Sequence, residues 1–174
     1  MTDRIYQVLF LCTGNSARSI LAEALLNYRG QGRFVAHSAG SHPSGQVNPY
    51  ALAVLEQMQV PAPHARSKSW HEFAASDGQS RDLDLIITVC DNAAREVCPV
   101  WPGHPLTAHW GVADPAAVQG SDAQKQQAFR QAFETLQTRI QGLIELPIVE
   151  LNPETLKQRL NEIGRLPDHA ARPR

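Results

Sequence analysis

A cysteine and an arginine, with five residues between them, delimit a short loop that could bind an oxyanion and attack it. The loop reads Cys12-Thr13-Gly14-Asn15-Ser16-Ala17-Arg18-Ser19, and we call residues 12–19 the anion loop. Backbone N–H groups at a helix start bind tetrahedral anions, and an arginine guanidinium donates to two oxyanion oxygens at once. The pattern predicts that residues 13–19 hold the anion. It also predicts that Cys12 is the nucleophile, with a pKa lowered by the positive surroundings.

Individual residues of the anion loop have separate expected roles. Gly14 is expected to let the backbone turn sharply, Asn15 to hold the loop through side-chain hydrogen bonds, and Ser19 to donate to the thiolate. A cysteine that ends a strand can also be a small buried hydrophobic residue, so the spacing alone leaves both interpretations open. A nucleotide P-loop is excluded here because no Gly-Lys-Ser/Thr sequence follows.

Strands and helices alternate around this loop. Short apolar runs predict strands at 5–11, 33–36, 83–89 and 107–110. Helical patterns run from the loop to Gly30, from Asn48-Pro49 to Met58, from Ser121 or Asp122 to Ile144, and from Asn152-Pro153 onward. This alternation predicts an α/β fold, a mostly parallel sheet with helices on both faces and ligands beyond the carboxyl ends of the strands. We expect a catalytic domain over 1–150 and a C-terminal helix and tail over 151–174.

The composition narrows the class of protein. The chain has 174 residues, with 16 basic and 17 acidic side chains, which argues against a nucleic-acid-coating or polybasic membrane-binding protein. Three cysteines are too few for a disulfide framework. No apolar run approaches the roughly 20 residues of a membrane span, and the first residues lack the apolar segment of a secretory signal. We expect a cytoplasmic, monomeric protein with reduced thiols that binds neither nucleic acid nor membrane.

The anion loop resembles the signature loop of the low-molecular-weight protein tyrosine phosphatase family. The Asp114-Pro115 pair matches a downstream pair in that family, and the resemblance implies that Asp114 is a general acid. It also implies a flavodoxin-like fold with a four-stranded parallel sheet in the order 2-1-3-4. One departure concerns Ala116 and Ala117, which stand where the phosphatases usually carry aromatic residues. A flat phosphotyrosine ring would have little to stack on, so a small inorganic oxyanion is the expected substrate.

The three cysteines are the second departure from the phosphatase pattern. In a sheet of this order, strands one and three are parallel neighbours, so Cys12 and Cys90 would emerge at the same edge. Their expected separation is near the ~4.4–6.8 Å between Cα atoms that a disulfide needs. Cys98 could reach Cys90 only if the intervening segment rearranges. Three thiols are what a relay of two successive disulfides requires.

The cysteine arrangement resembles arsenate reductases of the same fold. The similar stretches are Thr88-Val89-Cys90, Cys98-Pro99-Val100-Trp101-Pro102-Gly103, His109-Trp110-Gly111 and Asp114-Pro115. The resemblance implies that Cys12 attacks arsenate held by Arg18 and the loop, and that Asp114 protonates the departing oxygen. Cys90 then attacks Cys12, and Cys98 takes over to form a second disulfide, which thioredoxin reduces. It implies no metal and no bound redox cofactor.

Other functions stay open on the residues alone. A phosphatase could use the extra thiols only to protect Cys12 from overoxidation, and a glutaredoxin or glutathione route could replace thioredoxin. Cys90 and Cys98 could be a buried strand-end residue and a surface thiol. A protein that captures arsenite or zinc through its thiols would leave Arg18 and Asp114 unexplained.

Charged residues near the loop receive supporting roles. Some relatives bind a potassium ion beside the loop through an acid on the first helix, where Glu23 stands. Lys68 lies where such a cation site would need a carboxylate, so we expect its ammonium to substitute for the ion. Asp91 and Glu96 are expected to solvate the segment after Cys90. His104 and His109 lack metal-ligand spacing, and we expect them to pack near the site.

Overall fold

Four parallel strands form one sheet in the order β2-β1-β3-β4. They are β1 (Tyr6–Leu11), β2 (Phe34–Ala39), β3 (Leu85–Thr88) and β4 (Leu106–His109). The computed structural model describes residues 4–74, 82–91, 93, 101 and 103–166. The predicted fold class and strand order are confirmed. β2 extends three residues beyond its predicted end, while β3 is shorter than its apolar run.

The strand register aligns the carboxyl ends of all four strands. Leu11, the last residue of β1, pairs with Ala39 on one side and Thr88 on the other, and Thr88 pairs with His109. The chain therefore leaves β1, β3 and β4 at the same carboxyl edge. Within β1, residues 8–11 form a continuous apolar run because both faces of the strand are covered, and Val8 is fully buried.

Four α-helices surround the sheet within the described residues. They are α1 (Arg18–Arg29), α2 (Pro49–Gln57), α3 (Asp122–Ile144) and α4 (Pro153–Gly164). The predicted caps are confirmed: Asn48 accepts from Tyr50 N at 2.9 Å, and Ser121 forms a capping box with Gln124. Both α1 and α2 pack against α3. None of the described helices is long and apolar enough to cross a membrane.

Helix α4 covers the edge strand β4. Leu160 is fully buried, and its carbonyl oxygen accepts a 2.8 Å hydrogen bond from Trp110 Nε1. Asn161 Oδ1 accepts from the backbone N–H of His109 at 3.3 Å. This helix begins in the stretch that we expected as a C-terminal addition, and it closes the edge of the sheet beside the strand ends. Residues 167–174 lie outside the described residues.

The packing of α4 gives a stability prediction. Replacing Leu160 by Ala should lower the free energy of unfolding by about 3 kcal/mol, because a buried leucine leaves a cavity between α4 and β4. Replacing the exposed neighbour Arg159 by Ala should change it by less than about 0.5 kcal/mol. Urea unfolding of the two variants measures both values. Equal effects would contradict the assignment of α4 to the core.

Candidate active site

The carbonyl oxygens of the anion loop point toward the 42–48 segment. The carbonyls of Thr13, Gly14 and Ser16 accept hydrogen bonds of 2.8–3.0 Å from backbone N–H groups of the 42–48 segment. Helix α1 starts at Arg18, within the last two residues of the loop, and N–H groups in a first turn have no acceptor within their helix. Ala17, at the N-cap, supplies no side-chain acceptor either. Loop and helix start therefore present donors to one tetrahedral anion.

The sharp turn of the loop is at Asn15, and the expectation that Gly14 makes it was wrong. Asn15 has a φ of 45°, in the left-handed region that asparagine tolerates better than most residues. Its fully buried side chain donates from Nδ2 to Ser19 Oγ at 2.8 Å and accepts from Lys68 N at 2.8 Å, as expected of a residue that holds the loop. Because Ser19 Oγ acts as an acceptor here, its own proton stays available for a second bond.

Gly40 is a site residue that the sequence analysis missed. It follows β2 and lies directly against the anion loop: a Cβ there would be 2.8 Å from Cys12 O and 3.0 Å from Asn15 N. A Cβ at Gly14 would meet Ser16 Oγ at an ordinary 3.7 Å. The position that sterically requires glycine is therefore Gly40, which lies outside the anion loop. In the sequence, the signal for this role of Gly40 is its position at the end of the β2 pattern.

Arg18 presents a free edge of its guanidinium. Nη1 donates to Val112 O at 2.9 Å, which fixes the group beyond the end of β4. Nε is buried and has no hydrogen-bond partner among the described residues, and Nη2 is 3.7 Å from Asp114 Oδ2. Nε and Nη2 form one edge of the guanidinium, which is the edge that binds two oxygens of an oxyanion.

Asp114 lies beside Arg18 at the edge of the anion loop. One carboxylate oxygen accepts from Ala116 N at 3.0 Å and caps the short 3₁₀ turn Pro115–Ala117. The other faces Arg18. Ala116 and Ala117 are exposed. The rim here therefore offers an acid beside the anion site and two methyl groups in place of rings.

Cys12 and Cys90 form a buried thiol pair. Both thiols are free, and they are 5% and 3% exposed. The Cys90 sulfur contacts the anion loop directly, because Thr13 N donates to Cys90 Sγ at 3.4 Å. Ala93 N donates to the same sulfur at 3.4 Å. These two cysteines were expected at one sheet edge, and the structure brings them together there.

Because the two sulfurs share one proton, the pKa of Cys12 is raised, whereas the sequence predicted that it is lowered. The hydrogen bond to Cys90 and burial raise the pKa of Cys12, and the charge of Arg18 opposes them. Accepting that hydrogen bond, together with those from Ala93 and Thr13, lowers the pKa of Cys90 to about 5. That prediction rested on the loop amides and Arg18 and left out a second sulfur in contact with Cys12. Contact between the two sulfurs therefore shifts the two thiol pKa values in opposite directions.

A buried lysine stands behind the anion loop. Lys68 Nζ donates to Arg66 O at 3.1 Å and to Ser38 Oγ at 3.4 Å, and it lies 3.9 Å from Glu23 Oε2. Burial lowers the pKa of Lys68 and raises the pKa of Glu23, in each case against their mutual attraction. The ammonium thus occupies the space between the first helix and the loop where a cation was expected.

The remaining expected residues fall in different places. Asp91 does more than solvate its segment, because its carboxylate accepts a hydrogen bond from His109 Nε2 at 2.8 Å. Cys98 and Glu96 lie outside the described residues. Within the part of the chain that is described, no group of three His, Cys, Asp or Glu side chains could hold a metal ion.

Fold and site define an α/β protein with paired thiols at an anion-binding loop. The family described as low molecular weight phosphotyrosine protein phosphatase matches residues 7–160. An arsenate reductase of Halalkalibacterium halodurans is 33% identical over 139 residues, which are 79% of this chain and 94% of that protein. A solved arsenate reductase in the phosphate binding state has a TM-score of 0.64 at 27% identity, covering 80% of this chain and 96% of the other. A thioredoxin-dependent arsenate reductase of Corynebacterium glutamicum has a TM-score of 0.58 at 25% identity, covering 82% of this chain and 62% of that one.

The chain belongs to the low molecular weight phosphotyrosine protein phosphatase family and is an enzyme. The family resemblance seen in the anion loop and in Asp114-Pro115 is confirmed, and so is the similarity to arsenate reductases.

Close packing at Gly40 gives a second stability prediction. Gly40→Ala should lower the free energy of unfolding by about 2 kcal/mol, since the new methyl group would press on loop backbone that cannot move aside. Gly14→Ala should lower it by less than about 1 kcal/mol, although this glycine belongs to the loop itself. Chemical denaturation of both variants provides the comparison, and a larger cost at Gly14 would refute the assignment.

The thiol pair gives a pH prediction. With Cys98 replaced by Ser, thiolate absorbance in the ultraviolet should rise as the pH rises through about 5, the pKa of Cys90. Additional replacement of Cys12 by Ala removes the donor that lowers this pKa most, so the thiolate should appear only at higher pH. An unchanged midpoint would show that the two sulfurs do not share a proton.

Proposed function

We propose that this enzyme reduces arsenate to arsenite by a relay of thiols that begins at Cys12. The observation that carries the proposal is the contact of the Cys90 sulfur with the anion loop, next to Cys12. Hydrolysis of a phosphoester needs one nucleophilic cysteine, whereas reduction of arsenate needs a second thiol that can attack the first. The relatives named arsenate reductases support the same substrate.

The first step forms a bond between Cys12 and arsenic. Arsenate sits in the anion loop, bound by the amides of residues 14–19 and by the Nε–Nη2 edge of Arg18, while the amide of Thr13 donates to Cys90 Sγ. The Cys12 sulfur attacks arsenic as its proton leaves, and one arsenate oxygen departs. Asp114 delivers the proton to that oxygen, so the thiol proton and an arsenate hydroxyl leave as water.

The second step transfers the electrons. The Cys90 thiolate attacks the Cys12 sulfur, a disulfide forms between them, and the sulfur–arsenic bond breaks. Its electron pair stays on arsenic, which is reduced from the pentavalent to the trivalent state and leaves as arsenite. The N–H groups of Thr13 and Ala93 still donate to Cys90 Sγ after Cys12 has lost its proton, so they stabilise the Cys90 thiolate in this step.

The third step regenerates the nucleophile. Cys98 attacks Cys90, which releases the Cys12 thiol and leaves a Cys90–Cys98 disulfide for an external dithiol to reduce. The thioredoxin-dependent relative supports thioredoxin as this partner. No bound metal or redox cofactor enters the scheme, because thiols carry the electrons. A reducing compartment such as the cytoplasm suits an enzyme that starts each cycle with free thiols.

Other features of the site fit into the same proposal. Lys68 supports the loop by taking the place of a potassium ion between Glu23 and Ser38. The exposed methyl groups of Ala116 and Ala117 disfavour a phosphotyrosine substrate, since no ring there could stack on it. Slow phosphomonoester hydrolysis is expected all the same, because phosphate and arsenate have nearly the same shape and charge.

Steady-state assays of cysteine variants test the relay. Wild-type enzyme with thioredoxin, thioredoxin reductase and arsenate should consume NADPH. Cys12→Ser and Arg18→Ala should abolish both this turnover and hydrolysis of p-nitrophenyl phosphate, because both reactions start at the anion loop. Cys90→Ser and Cys98→Ser should abolish the arsenate turnover and spare the hydrolysis.

Each alternative outcome has a definite meaning. Full multiple turnover in Cys98→Ser would contradict the two-disulfide relay. Fast ester hydrolysis without arsenate-dependent NADPH use would identify a phosphatase with protective thiols. Turnover with glutaredoxin and glutathione but not with thioredoxin would overturn the choice of partner.

A further inference from the structure

His109 hydrogen-bonds two residues near the end of β3, one before and one after Cys90 in the chain. Its Nδ1 is 2.7 Å from Thr88 Oγ1, and its Nε2 is 2.8 Å from Asp91 Oδ1. Thr88 is the last residue of β3, and Asp91 directly follows Cys90. The imidazole ring therefore spans the short stretch of chain that carries the Cys90 sulfur.

The chemistry of the three side chains sets the direction of these hydrogen bonds. An ionised carboxylate only accepts, so Nε2 carries a proton and donates to Asp91. The Thr88 hydroxyl contacts His109 Nδ1 at 2.7 Å and also lies 3.4 Å from Ala108 O, to which it can donate its single proton. The imidazole ring thus bonds a side chain on each side of Cys90.

The backbone of His109 is itself held in place. His109 pairs with Thr88 in the sheet, and its N–H donates to Asn161 Oδ1 of α4 at 3.3 Å. Gly111 leaves room for the bridge, since a Cβ there would lie 3.0 Å from both Asp91 Oδ1 and His109 Nε2. The ring is thus anchored to β4 and α4, while Asp91 begins the segment that leads away from β3.

We propose that His109 is a positioning residue for the attack of Cys90 on Cys12, an inference that rests on the proposed reduction of arsenate. The bridge to Asp91 holds the chain just after Cys90, so that its sulfur stays against Thr13 and beside Cys12. Attack on a sulfur–arsenic bond requires the incoming sulfur to be in line with that bond. A misplacement of about 1 Å can slow such a step by up to about 100-fold.

The exposure of the bridge separates positioning from stability. The side chains of His109 and Asp91 are 39% and 74% exposed, and pairs this exposed contribute little to the free energy of unfolding. Variants at either position should therefore fold. The effect of the bridge should appear in the rate of one chemical step.

Single-turnover kinetics with one equivalent of arsenate test the proposal. The rate of arsenite release is measured on full-length enzyme, with the dissociation constant of inorganic phosphate as the readout of the anion loop. His109→Ala and Asp91→Ala should each slow arsenite release about tenfold and leave phosphate affinity unchanged. His109→Gln, whose amide can still donate toward Asp91, should recover most of the rate.

The matched control is His37→Ala. His37 is a partly buried histidine of β2 that hydrogen-bonds Gln7 at 2.9 Å, at the other side of the sheet. Its loss should not alter arsenite release. Unchanged rates in His109→Ala and Asp91→Ala would overturn the proposal, as would equal losses of rate and phosphate affinity. Failure of the wild-type enzyme to release arsenite would instead refute the proposed function.

Discussion

The parallel pairing of β1 with β3 is the constraint on which the site depends. Leu11 stands opposite Thr88, so the chain leaves both strands at one level, and the first residue after β1 is Cys12. Two residues beyond Thr88 is Cys90, whose sulfur accepts a hydrogen bond from the anion loop. If another strand lay between β1 and β3, the two thiols would be two strand spacings apart, about 10 Å, and no disulfide could form.

A second set of contacts keeps the anion loop in its binding conformation before any ligand arrives. Backbone N–H groups of segment 42–48 donate to the loop carbonyls, and Lys68 N donates to the side chain of Asn15. Gly40 allows the end of β2 to lie directly against the loop. Arg18 is fixed at one end by Val112. In the proposed reaction, a loop held in this way would need little reorganisation to bind an oxyanion, which is the condition for strong electrostatic stabilisation of a reacting anion.

The sequence was sufficient to predict the strands, the helices and the position of the anion loop, because apolar periodicity and caps are local signals. It was also sufficient to place Cys12 near Cys90, through the strand order that the family resemblance implied. It was not sufficient for properties that arise from contacts between distant residues. The pKa of Cys12 depends on a sulfur 78 positions away, the steric requirement at Gly40 appears only when β2 lies against the loop, and the bridge at His109 joins two strands. The turn at Asn15 shows a further limit, since glycine was the residue expected to take it.

The most direct test of the account is to identify the bond that one equivalent of arsenate leaves in Cys98→Ser enzyme. With the third thiol absent, the relay should stop after its second step. Mass spectrometry of the alkylated and digested protein should then find a Cys12–Cys90 disulfide in proportion to the arsenite released. Recovery of both cysteines as free, alkylated thiols after arsenite release, or a disulfide to any other partner, would contradict the claim that these two sulfurs carry the electrons.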